Sequence, residues 1–138
     1  MYANIVQHTV HLHGTLGANA SGVIPSWSNT GAKLLEVAAC SSNAGDATLK
    51  IGNATDDDAY MTAQAIGVSS EPEWFTVEDF DGALSDELGL TCPQHAPSTV
   101  FTWTLDYDGA GGTAAANVDL VFTLLIGGVN SDVTGLLV

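Results

Sequence analysis

The sequence predicts an all-β fold, an antiparallel β-sandwich of jelly-roll type with about eight strands. Three observations predict it. Large apolar residues recur at every second position in short runs, clusters of Gly, Ser, Asn, Asp and Pro break the chain between those runs, and hardly any stretch carries the period of a helix. Another Greek-key sandwich is the alternative arrangement.

Residues 4–13, NIVQHTVHLH, place Val6, Val10 and Leu12 on one face and Gln7, Thr9, His11 and His13 on the other, which makes the first strand. Residues 14–31 are rich in Gly, Ser, Asn and Ala around Pro25 and read as a long surface connection, with Trp27 as a candidate anchor to the core. KLLEVAACS at 33–41 gives a second strand with Leu35, Val37 and Ala39 facing one way. The turn SNAGD leads into a third strand at 47–51, and the two are expected to pair as a hairpin. GNATDDD is a turn, and AYMTAQAIGV after it reads as a strand, with a short helix capped by Asp58 as the alternative. SSEPEW is a loop broken by Pro72, residues 74–77 a short strand, and residues 88–97, with two prolines, another connection.

The strongest pattern is TVFTWTLDYDGAGGTAAANVDLVFTLLIGG at 99–128. Phe101, Trp103, Leu105 and Tyr107 share one face of its first arm, and Val118, Leu120, Phe122, Leu124 and Ile126 share one face of its second. A hairpin is expected. The other face of the second arm, Asp119, Val121, Thr123 and Leu125, is half apolar, so that strand should be central in its sheet. GGVNSDVTGLLV then adds a last short strand or an arm.

At 138 residues, with no repeat and no dividing linker, the chain is expected to be a single sandwich domain over 1–138, burying about two-thirds of its unfolded surface. Sixteen acidic residues face two lysines, Lys33 and Lys50, and no Arg, for a net charge of −14. Such a charge repels phosphate backbones and anionic lipid, so nucleic-acid and membrane partners are not expected. The N-terminus lacks a basic start and an apolar run, which predicts a chain made and kept in the cytosol until it assembles. Cys40 and Cys92 are expected as free buried thiols, a disulfide between them being the alternative.

Candidate chemistry is sparse. His11 and His13, two apart on one strand face, could share a metal in the manner of a cupin, but the further His and Glu of such a site have no match: GTLGANASG follows, and His95 sits in a Pro-rich loop. An ordinary polar strand face is the preferred reading. Asp56, Asp57 and Asp58, then Asp79 with Asp81, then Asp106 with Asp108 cluster in turns without the spacing of a known calcium loop, and Asp is a turn residue in its own right. No serine sits on a glycine elbow, no Cys neighbours a His, and GAGG precedes a strand rather than a phosphate-binding helix. An enzyme is not expected, nor a cofactor. Trp103 falls in the apolar register and reads as core, whereas Trp27 and Trp74, in or beside loops, are the candidates for a sugar-stacking surface.

TLKIGNATDDDAYMTAQAIG, VEDFDGAL and the 101–128 stretch together resemble the small acidic virion structural proteins of tailed bacteriophages, in particular capsid decoration or cement proteins, over roughly residues 34–128. That resemblance implies a β-sandwich on the outside of an expanded head, bound to the major capsid protein and bracing neighbouring capsomers. It also implies a homo-oligomer, the trimer being common among such proteins. No site residue transfers, because the family has no active-site motif. The match is poorest over the first fourteen and last ten residues, which are the expected contact arms. Within the last, Val133, Leu136, Leu137 and Val138 are too apolar to be left in water and are expected to pack on a neighbour. The competing expectation is a receptor- or glycan-binding module of a tail or head fibre, using Trp27 and Trp74.

Overall fold

The computed structural model describes residues 4–25, 31–81, 84–85, 91–95 and 100–126. They form β1 (Asn4–Thr15), β2 (Ala20–Ile24), β3 (Ala32–Ser41), β4 (Thr48–Gly52), β5 (Met61–Ala65), β6 (Gly67–Val68), β7 (Glu73–Phe75), β8 (Leu84–Ser85), β9 (Thr91–Cys92), β10 (Gln94–His95), β11 (Phe101–Asp106) and β12 (Ala116–Ile126). Among the described residues there is no helix, so the stretch after Asp58 is strand β5, as its residue types favour.

Eight of these strands build two sheets. β1, β12, β3 and β7 pair in that order in one, and β2, β11, β4 and β5 in the other. Successive strands switch sheets everywhere except at β4–β5, and the last strand lies between the first and the third; that is the jelly-roll order. β6 and β10 extend the same side of β3 to either end of β7, and β8 with β9 makes a separate two-stranded ladder. The expected antiparallel sandwich is therefore present.

The core lies between the two sheets. Leu34, Val37, Val118, Leu120, Phe122 and Leu124 enter it from the first sheet and Ile24, Leu49, Ile51, Met61, Phe101 and Leu105 from the second, all fully buried. Each large side chain of this kind contributes about 1.5–3 kcal/mol by leaving water. Trp103 joins them at 5% exposure, so it is a core residue. β12 pairs with both β1 and β3, the central position its half-apolar second face predicts.

Two expected hairpins are not formed. β3 lies in one sheet and β4 in the other, and β11 and β12 are likewise separated. Alternation fixes which face of a strand is buried; it carries no information about the neighbour. A third difference is β2, which falls inside the stretch expected to be a surface connection and pairs with β11 from Ala20↔Leu105 to Ile24↔Phe101. A fourth is Leu35. A bulge opposite Thr123 and Leu124 puts Leu34 in the core and leaves Leu35 half-buried, so the strand changes phase midway.

The crossings at one end are held by side chains. Asn43 accepts the Ala116 N–H at 2.9 Å and donates to the Ala114 carbonyl at 2.9 Å. Asp46 accepts the Thr113 N–H at 2.6 Å, and Asn117 accepts the Gly14 N–H at 2.8 Å. With the Tyr107 N–H donated to Asn19 Oδ1 at 3.1 Å, these bonds tie together the three connections β1–β2, β3–β4 and β11–β12 and satisfy backbone groups that no ladder reaches.

Candidate functional site

The outer face of the β1–β12–β3–β7 sheet carries two of the four exposed large apolar side chains among the described residues, Ile5 and Trp74, while Val23 stands on β2 and Val77 follows β7. Register sets the first two in cross-strand rows: Ile5 beside Leu125, and Thr9, Val121, Ala38 and Trp74 in line across four strands. Ile5 is 68% and Trp74 57% exposed, whereas Val121, Leu125 and Ala38 are half-buried. Between these rows Gln7 donates to Thr123 Oγ1 at 3.3 Å, and at the far end His11 Nδ1 meets Asp119 Oδ1 at 2.6 Å. The outer face is thus apolar in part, with polar pairs between.

His11 and His13 do share this face, with ring centroids 6.2 Å apart and planes tilted by 51°. His11 Nδ1 is taken up by Asp119, however, and the described residues bring no third ligand to the pair. His95 belongs to β10, but its side chain lies outside the described residues. The arrangement is a His11–Asp119 contact beside a second histidine on one strand face. Cys40 and Cys92 are not joined in a disulfide, Cys92 being buried and Cys40 half-buried beside Asp119. Burial first, and then the Asp119 charge, push the Cys40 thiol above its ordinary range, so it stays protonated at neutral pH and is a weak nucleophile.

Among the described residues, Asp56, Asp57 and Asp58 form the one group of three potential metal ligands, their carboxylate oxygens all within 4.8 Å. The turn explains their positions. Asn53 Oδ1 accepts the N–H groups of Thr55 and Asp56, and Lys50 Nζ lies 3.6 Å from Asp57. Crowding is visible in Asp58, whose pKa is raised by its side-chain hydrogen bond to Asp56, with smaller contributions from desolvation and the Asp56 and Asp57 charges.

The outer face of the second sheet differs in kind. Thr48, Lys50, Thr104 and Asp106, with Asp57, Asn19 and Ala63, line a shallow polar depression of ≈ 230 Å³. It contains no aromatic side chain and no nucleophile poised beside a base. Trp74 stands on the opposite sheet, and Trp27, like Val133, Leu136, Leu137 and Val138, lies outside the described residues.

The half-apolar second face of β12, Val121 and Leu125, pointed in the sequence to a central strand, and no sheet surface was expected from it. What sequence patterning missed is that Ile5, Ala38 and Trp74 join that face, because this follows from pairing alone.

No family model matches the chain, and no curated protein matches it. Among solved structures the chain is similar to one in the cyanophage Pam1 capsid asymmetric unit, with a TM-score of 0.48 and 18% identity, over 90% of this chain and 84% of that one. No helix of the described residues is long and apolar enough to cross a membrane.

Proposed function

We propose that this chain is a non-enzymatic virion structural protein, a decoration or cement protein that binds the major capsid protein on the outside of a phage head and stabilises the capsid lattice. The observation that carries the reading is the sequence resemblance, whose three stretches fall on β4 and β5, on the segment after β7, and on β11 and β12. Those elements include three of the four strands of one sheet and one of the two inner strands of the other, so the likeness concerns the scaffold rather than a loop. The physical character of the chain supports it. A cement protein works by many shallow contacts on a repeating lattice, and a sandwich with a closed apolar core and a partly apolar outer sheet face suits that task.

In this reading the chain is made in the host cytoplasm, acts on the capsid surface as a homo-oligomer, and uses Val133, Leu136, Leu137 and Val138 as a contact tail. The test is to add purified chain to expanded heads that lack it. Saturable binding in a fixed ratio to the capsid protein, with a higher temperature of head rupture, is expected; heads that neither bind it nor gain stability overturn the reading. Deleting residues 133–138 should weaken binding while leaving the melting transition intact, and unchanged binding removes the tail from the contact.

Exposed Trp74 favours one second reading, a receptor- or glycan-binding fibre module, since a flat aromatic ring open to solvent is a stacking surface for sugars. A glycan array compared between the native chain and Trp74→Ala separates the two: specific binding lost with the tryptophan supports the fibre module.

A further inference from the structure

We propose that the free edge of β1 is a docking surface for a second copy of this chain, β1 pairing antiparallel with β1 of the partner so that two large sheets become one. This pairing gives the homo-oligomer of the proposed function a contact and rests on that part of the reading, but it is argued from the strand edge and does not need the virion role. β1 is the end strand of its sheet, and among the described residues no strand pairs with its outer edge. Its ladder with β12 runs without interruption from Asn4 to Leu12, before the irregularity that ends at Thr15. An edge of that length carries a row of unpaired N–H and C=O groups, and proteins ordinarily blunt such edges with Lys, Pro, inward charges or bulges. Residues 4–12 contain no Lys, Arg, Asp, Glu or Pro.

Charge distribution selects the occupant. All sixteen acidic residues follow residue 35, so β1 and β2 carry none of them. The two strands end their respective sheets and are joined by residues 16–19 alone, a span that reaches only about 14 Å and so keeps both edges on one side of the sandwich. Ile5 and Val23, two of the most exposed large apolar side chains, stand on these strands. The edges on the other side, β5 with five residues and β7 with three, are both much shorter than β1 and lie near Asp56–Asp58 and near Glu71 and Glu73. Two copies of a chain of charge −14 repel one another wherever acids meet. They can approach closely along the acid-free strands β1 and β2, whose neighbours bring only Asp119 on β12 and Asp106 on β11. The one acid of β12, Asp119, is engaged by His11.

The experiment is sedimentation equilibrium of the full chain over a wide concentration range, for the native protein, for Gln7→Glu with Thr9→Glu, and for Thr62→Glu on the edge strand β5. Gln7 and Thr9 are exposed on the outer sheet face, so each introduced carboxylate would sit among like charges across the new ladder. A native dimer is expected, with its dissociation constant raised about tenfold or more in the β1 variant and unchanged in the β5 variant. A native chain that stays monomeric, a β1 variant that dimerises as before, or equal weakening by Thr62→Glu overturns the proposal. Because the β1 variant could fail to fold, amide hydrogen exchange of the native chain is read in parallel at low and high concentration. Protection of residues 4–12 should rise with concentration. Protection that is high and independent of concentration means the edge is covered within one chain, and the proposal falls.

Discussion

Gly22 and Trp103 face each other across the β2–β11 ladder, and a Cβ on Gly22 would stand 2.8 Å from the indole Nε1. The missing side chain makes the space in which the ring lies. Gly22→Ala should therefore destabilise the fold by about 1–3 kcal/mol, the cost of overpacking, read by urea denaturation with Trp fluorescence. An unchanged midpoint would show that the ring moves freely aside. In the turn after β11, Gly109 has φ of 62° and packs against the Asp46 backbone, a position closed to a residue with a side chain. Asn43 bridges the same turn by two hydrogen bonds, and Asn43→Ala should cost about 1–3 kcal/mol by stranding the Ala116 N–H and the Ala114 carbonyl. Asp108, in this turn too, is held below the usual carboxylate range by the Gly111 N–H first, with help from the Tyr107 hydroxyl. A depressed folded pKa gives stability that is present above the unfolded value and lost as pH falls through the folded one. Melting temperatures of native chain and Asp108→Asn should thus differ at neutral pH and converge in acid below the ordinary carboxylate value. A gap that persists or widens in acid contradicts this.

At the scale of elements, β12 organises the molecule. It pairs with β1 and β3, buries Val118, Leu120, Phe122 and Leu124, and stacks Phe122 near His8 with ring centroids 6.2 Å apart. Phe122→Ala should cost about 3–5 kcal/mol, whereas Trp74→Ala on the exposed β7 should stay within about 1 kcal/mol, both measured by denaturation. The reverse order would mean that β7, not β12, anchors the sheet. The inward faces of β11 and β12 were legible in the sequence because alternation is a local consequence of strand geometry. Their partners were not. A jelly roll pairs its last strand with its first and third, and nothing in a local pattern records a neighbour a hundred residues away. β2 was illegible for another reason: ASGVI lacks the bulky alternation of a strand because one of its inward positions is the glycine under Trp103. The bulge at Leu35 hid the change of phase in β3, since a single extra residue exchanges the buried and open faces beyond it. Of the candidate surface, Val121 and Leu125 could be read from β12 alone, while the line from Thr9 to Trp74 exists only in the assembled sheet.

At the scale of the whole molecule, the described residues form an apolar-cored sandwich within a chain of charge −14, whose acidic residues all lie beyond β1 and β2. The described residues offer no enclosed site of converging catalytic groups, and the surface features that stand out are a partly apolar sheet face and an open strand edge. Both are means of touching other proteins. Where the chain resides decides between a decoration protein and a fibre module, and the most direct measurement is its copy number in purified particles, by quantitative mass spectrometry against the major capsid protein. A fixed ratio near one per capsid subunit, or one per small group of subunits, is the predicted result; a handful of copies per particle, or none, would contradict a decoration protein bound across the lattice.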